Sequence, residues 1–164
     1  MTAKQYQAAL DRLRYDPEAG FFYWRVPTRN KPAGTEAGFL TSSGQIGIKV
    51  AGRIFLAHRL AWFFSHGREP SGQIDHINGI PTDNRIVNLR DVSASQNQWN
   101  RGKPKNNTSS KKGVSWRARR KRWYASISVR GQSIYLGSFL TLDAAASAYE
   151  EACRRHHGEF GRTE

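Results

Sequence analysis

The 164-residue chain has a single cysteine, Cys153, which excludes a disulfide framework and any zinc finger built on paired thiolates. No apolar run approaches the roughly 20 residues that a membrane helix requires. The opening stretch, MTAKQYQAALDRLRYD, has no signal-peptide core. Acidic residues are scarce, with 13 Asp+Glu against 26 Lys+Arg and a net charge of +13. These absences predict a soluble, cytoplasmic chain that avoids membranes. The cationic excess repels itself on compaction, so a polyanionic partner is expected. Hydrophobic residues at 38% and aromatics at 12% suffice for modest packed cores and argue against disorder. The length allows one ordinary domain or two small ones.

The charge is concentrated. Between Val92 and Leu142 there is no acidic residue, while eleven Lys/Arg fall between Arg101 and Arg130. Taking those eleven from +13 leaves about +2 for the rest of the chain. The middle of this segment, RGKPKNNTSSKKG, has no apolar residue and reads as a linker. A basic tether of this kind lies along phosphates whatever the base sequence.

Residues 3–14 place Tyr6, Ala9, Leu10 and Leu13 at helical spacing. GFFYWRV (20–26) reads as a strand, and GQIGIKVAGRIFLA (44–57) as a hairpin turning at Ala51-Gly52. AHRLAWFFSHG predicts a buried helix closed by Gly67. Two apolar runs around an Asn/Gly/Pro/Asp loop over 72–92 predict strand, loop, strand, and Ser93 or Ser95 caps a short helix after them. From Lys112 onward come three β-like runs, the last two joined at Arg130-Gly131-Gln132. A helix capped by Thr141 and ended by Gly158 follows, with Ala145, Ala148, Tyr149, Ala152 and His156 as its expected inner stripe.

The residues with chemistry to offer are Asp75-His76, Asn88 and Asn97. Phosphodiester hydrolysis needs a water deprotonated near neutral pH, and imidazole titrates there. It also needs a cation to neutralise developing charge. A carboxylate (Asp75) and an amide oxygen (Asn97) are hard ligands suited to Mg²⁺, which keeps waters and takes phosphate oxygens. Asn88 is placed to orient the imidazole. Turn chemistry explains Asn78-Gly79 and serves equally for Asp83-Asn84. His58 reads as a half-buried structural histidine, and His66 and the His156-His157 pair as helix C-terminal residues favoured by the dipole.

IDHINGIPTDNRIVNLRDVSASQNQWNR, with the lead-ins YDPEAGFFYWR and AHRLAWFFSHGREPSG, resembles the HNH nucleases, in the branch of phage and homing endonucleases whose last histidine is asparagine. The resemblance implies a ββα-metal nuclease that cuts double-stranded DNA. In it His76 is the general base, Asp75 and Asn97 hold one Mg²⁺ or Mn²⁺ per active site, and Asn88 orients the histidine or substrate. It also implies 5′-phosphate and 3′-hydroxyl ends.

The segment from Lys112, with Gly113, Val114, Arg117, Trp123, Tyr135, Leu136, Gly137, Phe139 and an Ala-Ala…Ala-Tyr helix, is similar to the plant Apetala-two/ethylene-response-factor DNA-binding domain. That resemblance implies a three-stranded sheet that enters the major groove, backed by one helix. Ser115, Ser126, Ser128 and Ser133 replace the family's DNA-contacting Arg or Glu, so its sequence preference does not transfer. The expected DNA contacts are Lys103, Lys105, Lys111, Lys112, Arg117, Arg119, Arg122, Arg130 and Tyr135. Trp116, Trp123 and Tyr135 divide between core and DNA face.

The expectation is thus an α+β chain of three parts. Residues 1–101 form the nuclease domain, 102–111 a basic linker, and 112–164 a three-stranded antiparallel sheet packed on one helix. A monomer or weak dimer acting in a bacterial host cell fits a phage-encoded enzyme. The alternative is a DNA-binding regulator with a degenerate nuclease centre. A decaying centre tends to lose a member, and this one has Asp75, His76, Asn88 and Asn97 all present.

Overall fold

The computed structural model describes residues 3–103 and 107–163 and divides into two compact units, Met1–Val92 and Ser93–Glu164. In the first, the amphipathic start forms α1 (Ala3–Arg12). The predicted helix stops two residues early, because Leu13 begins a strand and is fully buried there. The antiparallel strands β1 (Leu13–Asp16) and β2 (Phe21–Trp24), with the short β3 (Glu36–Ala37), make one small sheet. A second consists of β4 (Phe39–Leu40), β5 (Ile46–Val50) and β6 (Arg53–Leu56). The expected turn between β5 and β6 is present, with Ala51 and Gly52 both at positive φ.

Helix α2 (Ala57–His66) follows β6 without a loop and ends at Gly67, which is left-handed at φ 67°. The hairpin and helix press together: Ile48, Val50 and Phe55 share one core with Leu60, Ala61, Leu13 and Phe22. The hairpin β7 (Gln73–His76) and β8 (Leu89–Val92) joins that core through Ile74 and Leu89.

The second unit begins with α3 (Ala94–Trp99), whose cap is Ser93 in a reciprocal capping box with Gln96. Further on, the strands β9 (Val114–Arg117), β10 (Arg122–Val129) and β11 (Gln132–Phe139) form the expected antiparallel sheet, in the order β11-β10-β9. Arg130 and Gly131 make the tight turn, both at positive φ. Helix α4 (Leu142–His157), capped by Thr141, covers one face of the sheet. Its core residues Ala145, Tyr149, Ala152 and Cys153 meet Val114, Ala125 and Ile127. The inner stripe differs from the expected one at two places: Ala146 is buried where Ala148 is only partly so, and His157 is buried where His156 is exposed. Gly113, at φ +72°, has no room for a Cβ because the Tyr149 ring lies against it. The mixed α+β architecture is the one expected.

Among the described residues no helix is long and apolar enough to cross a membrane.

Candidate active site

On the β7–β8 hairpin, Asp75 stands directly opposite Arg90 in register. Both Nε and Nη2 of Arg90 lie 2.8 Å from Asp75 Oδ2. Asp75 is buried, and a buried carboxylate requires a cation or several donors to stay ionised. Asp75 and His76, consecutive at the end of this strand, are both buried. His76 Nε2 lies 3.2 Å from Asn84 Oδ1. The Asn84 amide is oriented by its own Nδ2, which donates to the Thr82 carbonyl at 3.3 Å. Its oxygen therefore faces the imidazole.

Asn88 serves the loop between the strands. Its Oδ1 accepts from the Asn78 amide at 3.0 Å, and its Nδ2 donates to Asn78 Oδ1 and to the Asp83 carbonyl. The carboxamide that meets the imidazole is thus that of Asn84, while Asn88 closes the loop that carries Asn84. Asp83 accepts from Asn78 and pairs with Arg85, which holds its carboxyl down at about 2.

The aromatic lead-in supports this loop. Tyr15 Oη donates to the Asn84 carbonyl at 2.6 Å, and the Ile86 amide donates to Pro17 O. Gly20, at φ +77°, lies so close that a Cβ would strike the Arg85 nitrogen. That contact, with the turn itself, requires glycine there.

His58, on α2, is buried and meets the His76 ring edge to face, with centroids 5.3 Å apart. Burial, and then the neighbouring His76 and Arg59, lower its pKa to about 4, so it is a neutral ring at physiological pH. It is more deeply placed than a half-buried histidine and lies beside the candidate base. His66 conforms to the helix-end reading: its Nδ1 lies 3.0 Å from the Trp62 carbonyl and its ring stacks on Trp62.

Asn97 belongs to α3 in the second unit. Among the described residues no three His, Cys, Asp or Glu side chains cluster as a metal cage. A carboxylate such as that of Asp75 is a hard oxygen donor, of the kind that Mg²⁺ or Mn²⁺ takes while keeping most of its waters, and not the thiolate or imidazole set of a closed zinc site.

On the C-terminal sheet, register places Tyr124 opposite Ser115 and Ser138, Ser126 opposite Tyr135, and Ser128 opposite Ser133. These residues occupy the face away from α4, because Ala125 and Ile127, which alternate with them, are in the core. The divided aromatics are thereby resolved. Trp123 packs against the core and Trp116 beside it, while Tyr135 is exposed and lies 5.5 Å from Tyr124.

Arg117 stands directly opposite Arg122, and its guanidinium lies 6.0 Å from the Tyr124 ring. Arg120 donates to Tyr124 Oη; it was absent from the expected contacts. Arg119 and Arg130 are exposed in turns, as is Lys111. Lys103 is exposed and donates to the Ser110 carbonyl, and Lys105 lies outside the described residues. Lys112 is a different case: its ammonium donates to the carbonyls of Trp99, Arg101 and Arg162.

Sequence reasoning missed Arg90, Asn84 and the closeness of His58. Only the strand alternation around the Asp-His pair hinted at Arg90, as a charge at a cross-strand position. Residues 55–99 match the HNH endonuclease family. Protein 3.8 of Escherichia phage T7 is 36% identical over 106 residues, which is 64% of this chain and 87% of that protein. No solved structure matches. The hairpin carrying the Asp-His pair lies inside the matched segment and the T7 relative is covered over most of its length, so the chain belongs to the HNH endonuclease family.

Proposed function

We propose that the chain is a divalent-metal-dependent endonuclease of the phage and homing type, hydrolysing phosphodiester bonds in double-stranded DNA. His76 is the general base. Positioned by the Nε2–Asn84 Oδ1 contact, the imidazole takes a proton from the attacking water. Asp75 and Asn97 would hold one Mg²⁺ or Mn²⁺. When bound, that ion neutralises charge developing on the phosphate and on the leaving 3′ oxygen. The products carry 5′-phosphate and 3′-hydroxyl ends. Asn88 keeps the loop closed, so that Asn84 stays on the imidazole.

The C-terminal sheet, resembling the Apetala-two module, is the DNA anchor. Arg117 directly opposite Arg122 is a like-charge cross-strand pair, destabilising in the free protein and relieved by a polyanion. The serines around Tyr124 and Tyr135 leave a face that approaches a backbone closely. Lys103, Lys105, Lys111, Arg117, Arg119, Arg122, Arg130 and Tyr135 supply the contacts, and Arg120 joins them. The enzyme acts as a monomer or weak dimer.

The observation that carries this reading is the His76–Asn84 contact beside the buried Asp75. The test is cleavage of supercoiled plasmid with Mg²⁺. His76→Ala is expected to abolish cutting and leave DNA binding unchanged. Equal cutting by the two proteins would reject His76 as the base. Binding without any cutting by the wild-type chain would favour a DNA-binding regulator.

A further inference from the structure

We infer that the C-terminal module, besides binding DNA, is a brace that positions the helix carrying Asn97, with Lys112 and His157 as the positioning residues. This rests on the reading of Asn97 as a holder of the metal ion.

Helix α3 has six residues and buries none of them. Isolated helices shorter than about 12–15 residues are marginal in water, so something outside α3 must hold it. Its N-terminus is satisfied by the Ser93–Gln96 capping box. Its C-terminus is held by the module. Lys112 Nζ lies 2.8 Å from the Trp99 carbonyl and 2.6 Å from that of Arg101, and its third donor meets Arg162 O at 3.0 Å. An ammonium has three N–H groups, and here three carbonyls receive them. The Arg162 amide adds a bond to Trp99 O at 3.2 Å. A cation on the last carbonyls of a helix also complements its dipole.

The Trp99 side chain is held as firmly. Its ring stacks on His157 with centroids 4.5 Å apart and planes 9° from parallel. The His157 ring is fixed in turn, because Nε2–H donates to the Ser128 carbonyl of β10 at 2.9 Å. Contacts therefore run from the central strand of the sheet through His157 to Trp99, two residues from Asn97. A detachable anchor on a tether has no use for a lysine folded inward on three backbone oxygens. A helix that must hold a ligand in place has.

The test uses the full chain and three readouts: Mn²⁺ binding by electron paramagnetic resonance, amide exchange over 97–101, and DNA affinity. Lys112→Met is expected to weaken Mn²⁺ binding about tenfold, the size of loss found when groups supporting a metal ligand are removed. Exchange of those amides rises by a similar factor, about tenfold, as local opening becomes easier. DNA affinity stays within about twofold, because Lys112 is not on the sheet face. Unchanged Mn²⁺ affinity overturns the inference.

Should Lys112→Met not fold, His157→Phe keeps a stacking ring and His157→Ser does not. Mn²⁺ affinity retained by Phe and lost by Ser supports the brace, and equal affinities in the two overturn it. Asn97→Ala separates the two ideas. If it binds Mn²⁺ like the wild type, the metal-holding reading falls. If it alone loses Mn²⁺ while the brace variants keep it, only the brace falls.

Discussion

Arg90 places two nitrogens of its guanidinium 2.8 Å from one oxygen of Asp75, across a strand pair whose register sets them face to face. The pair is buried on the carboxylate side, where the surroundings screen little and a lost partner costs most. Arg90→Met is expected to destabilise the protein by about 3 kcal/mol, the lower end for breaking a buried pair. Urea unfolding measures it, and a loss below about 1 kcal/mol would place the pair with ordinary surface ion pairs.

Asn84 is the second residue whose removal should tell. With its oxygen gone, the contact that holds His76 at Nε2 is lost. Asn84→Ala is expected to slow single-turnover plasmid cleavage by about 10²-fold, the lower end of what a positioned general base supplies. DNA affinity should not change. A variant that cuts at the wild-type rate would show that the imidazole is oriented by something else.

His58 predicts how stability depends on pH. Its folded pKa of about 4 lies below the ordinary histidine value. Between about 6.5 and 4 the unfolded chain takes up a proton that the folded chain refuses, so stability falls as the pH drops through that window. At about 1.4 kcal/mol per pH unit the full loss over these 2.5 units is about 3.5 kcal/mol, and below pH 4 it levels off. His58→Leu should flatten this dependence. Unfolding curves at pH 7.5 and 4.5 compare the two proteins, and parallel losses would remove His58 as the source.

The sheet face predicts a salt law. If six to ten phosphates are neutralised, log K falls with log[salt] at a slope of about −5 to −9. Replacing Arg117 and Arg122 by Gln should make the slope shallower by about 2 and weaken all DNA sequences alike. Loss of affinity for one sequence alone would instead make these arginines base readers.

Much of the architecture was legible because its determinants are local. Ala51-Gly52 and Arg130-Gly131 announce tight turns, Ser93 and Thr141 offer cap oxygens, and the alternation of WYASISV shows a half-buried strand. The Asp75-His76 pair was legible as chemistry for the same reason. Arg90, Asn84 and Tyr15 were not, since their roles come from contacts across 15, 8 and 69 residues of chain. His157 and Lys112 read as a dipole partner and a DNA contact, and only the packing of α4 and the return of the C-terminus past Trp99 revealed the contacts they make there.

The sequence by itself determined the periodicities, the turns and the inventory of reactive groups, because each follows from a residue's own conformational and chemical preferences. Which amide faces the imidazole, which cation faces the carboxylate and which lysine turns inward were decided by tertiary structure alone. Those choices depend on register and burial, which bring together residues that no local rule relates.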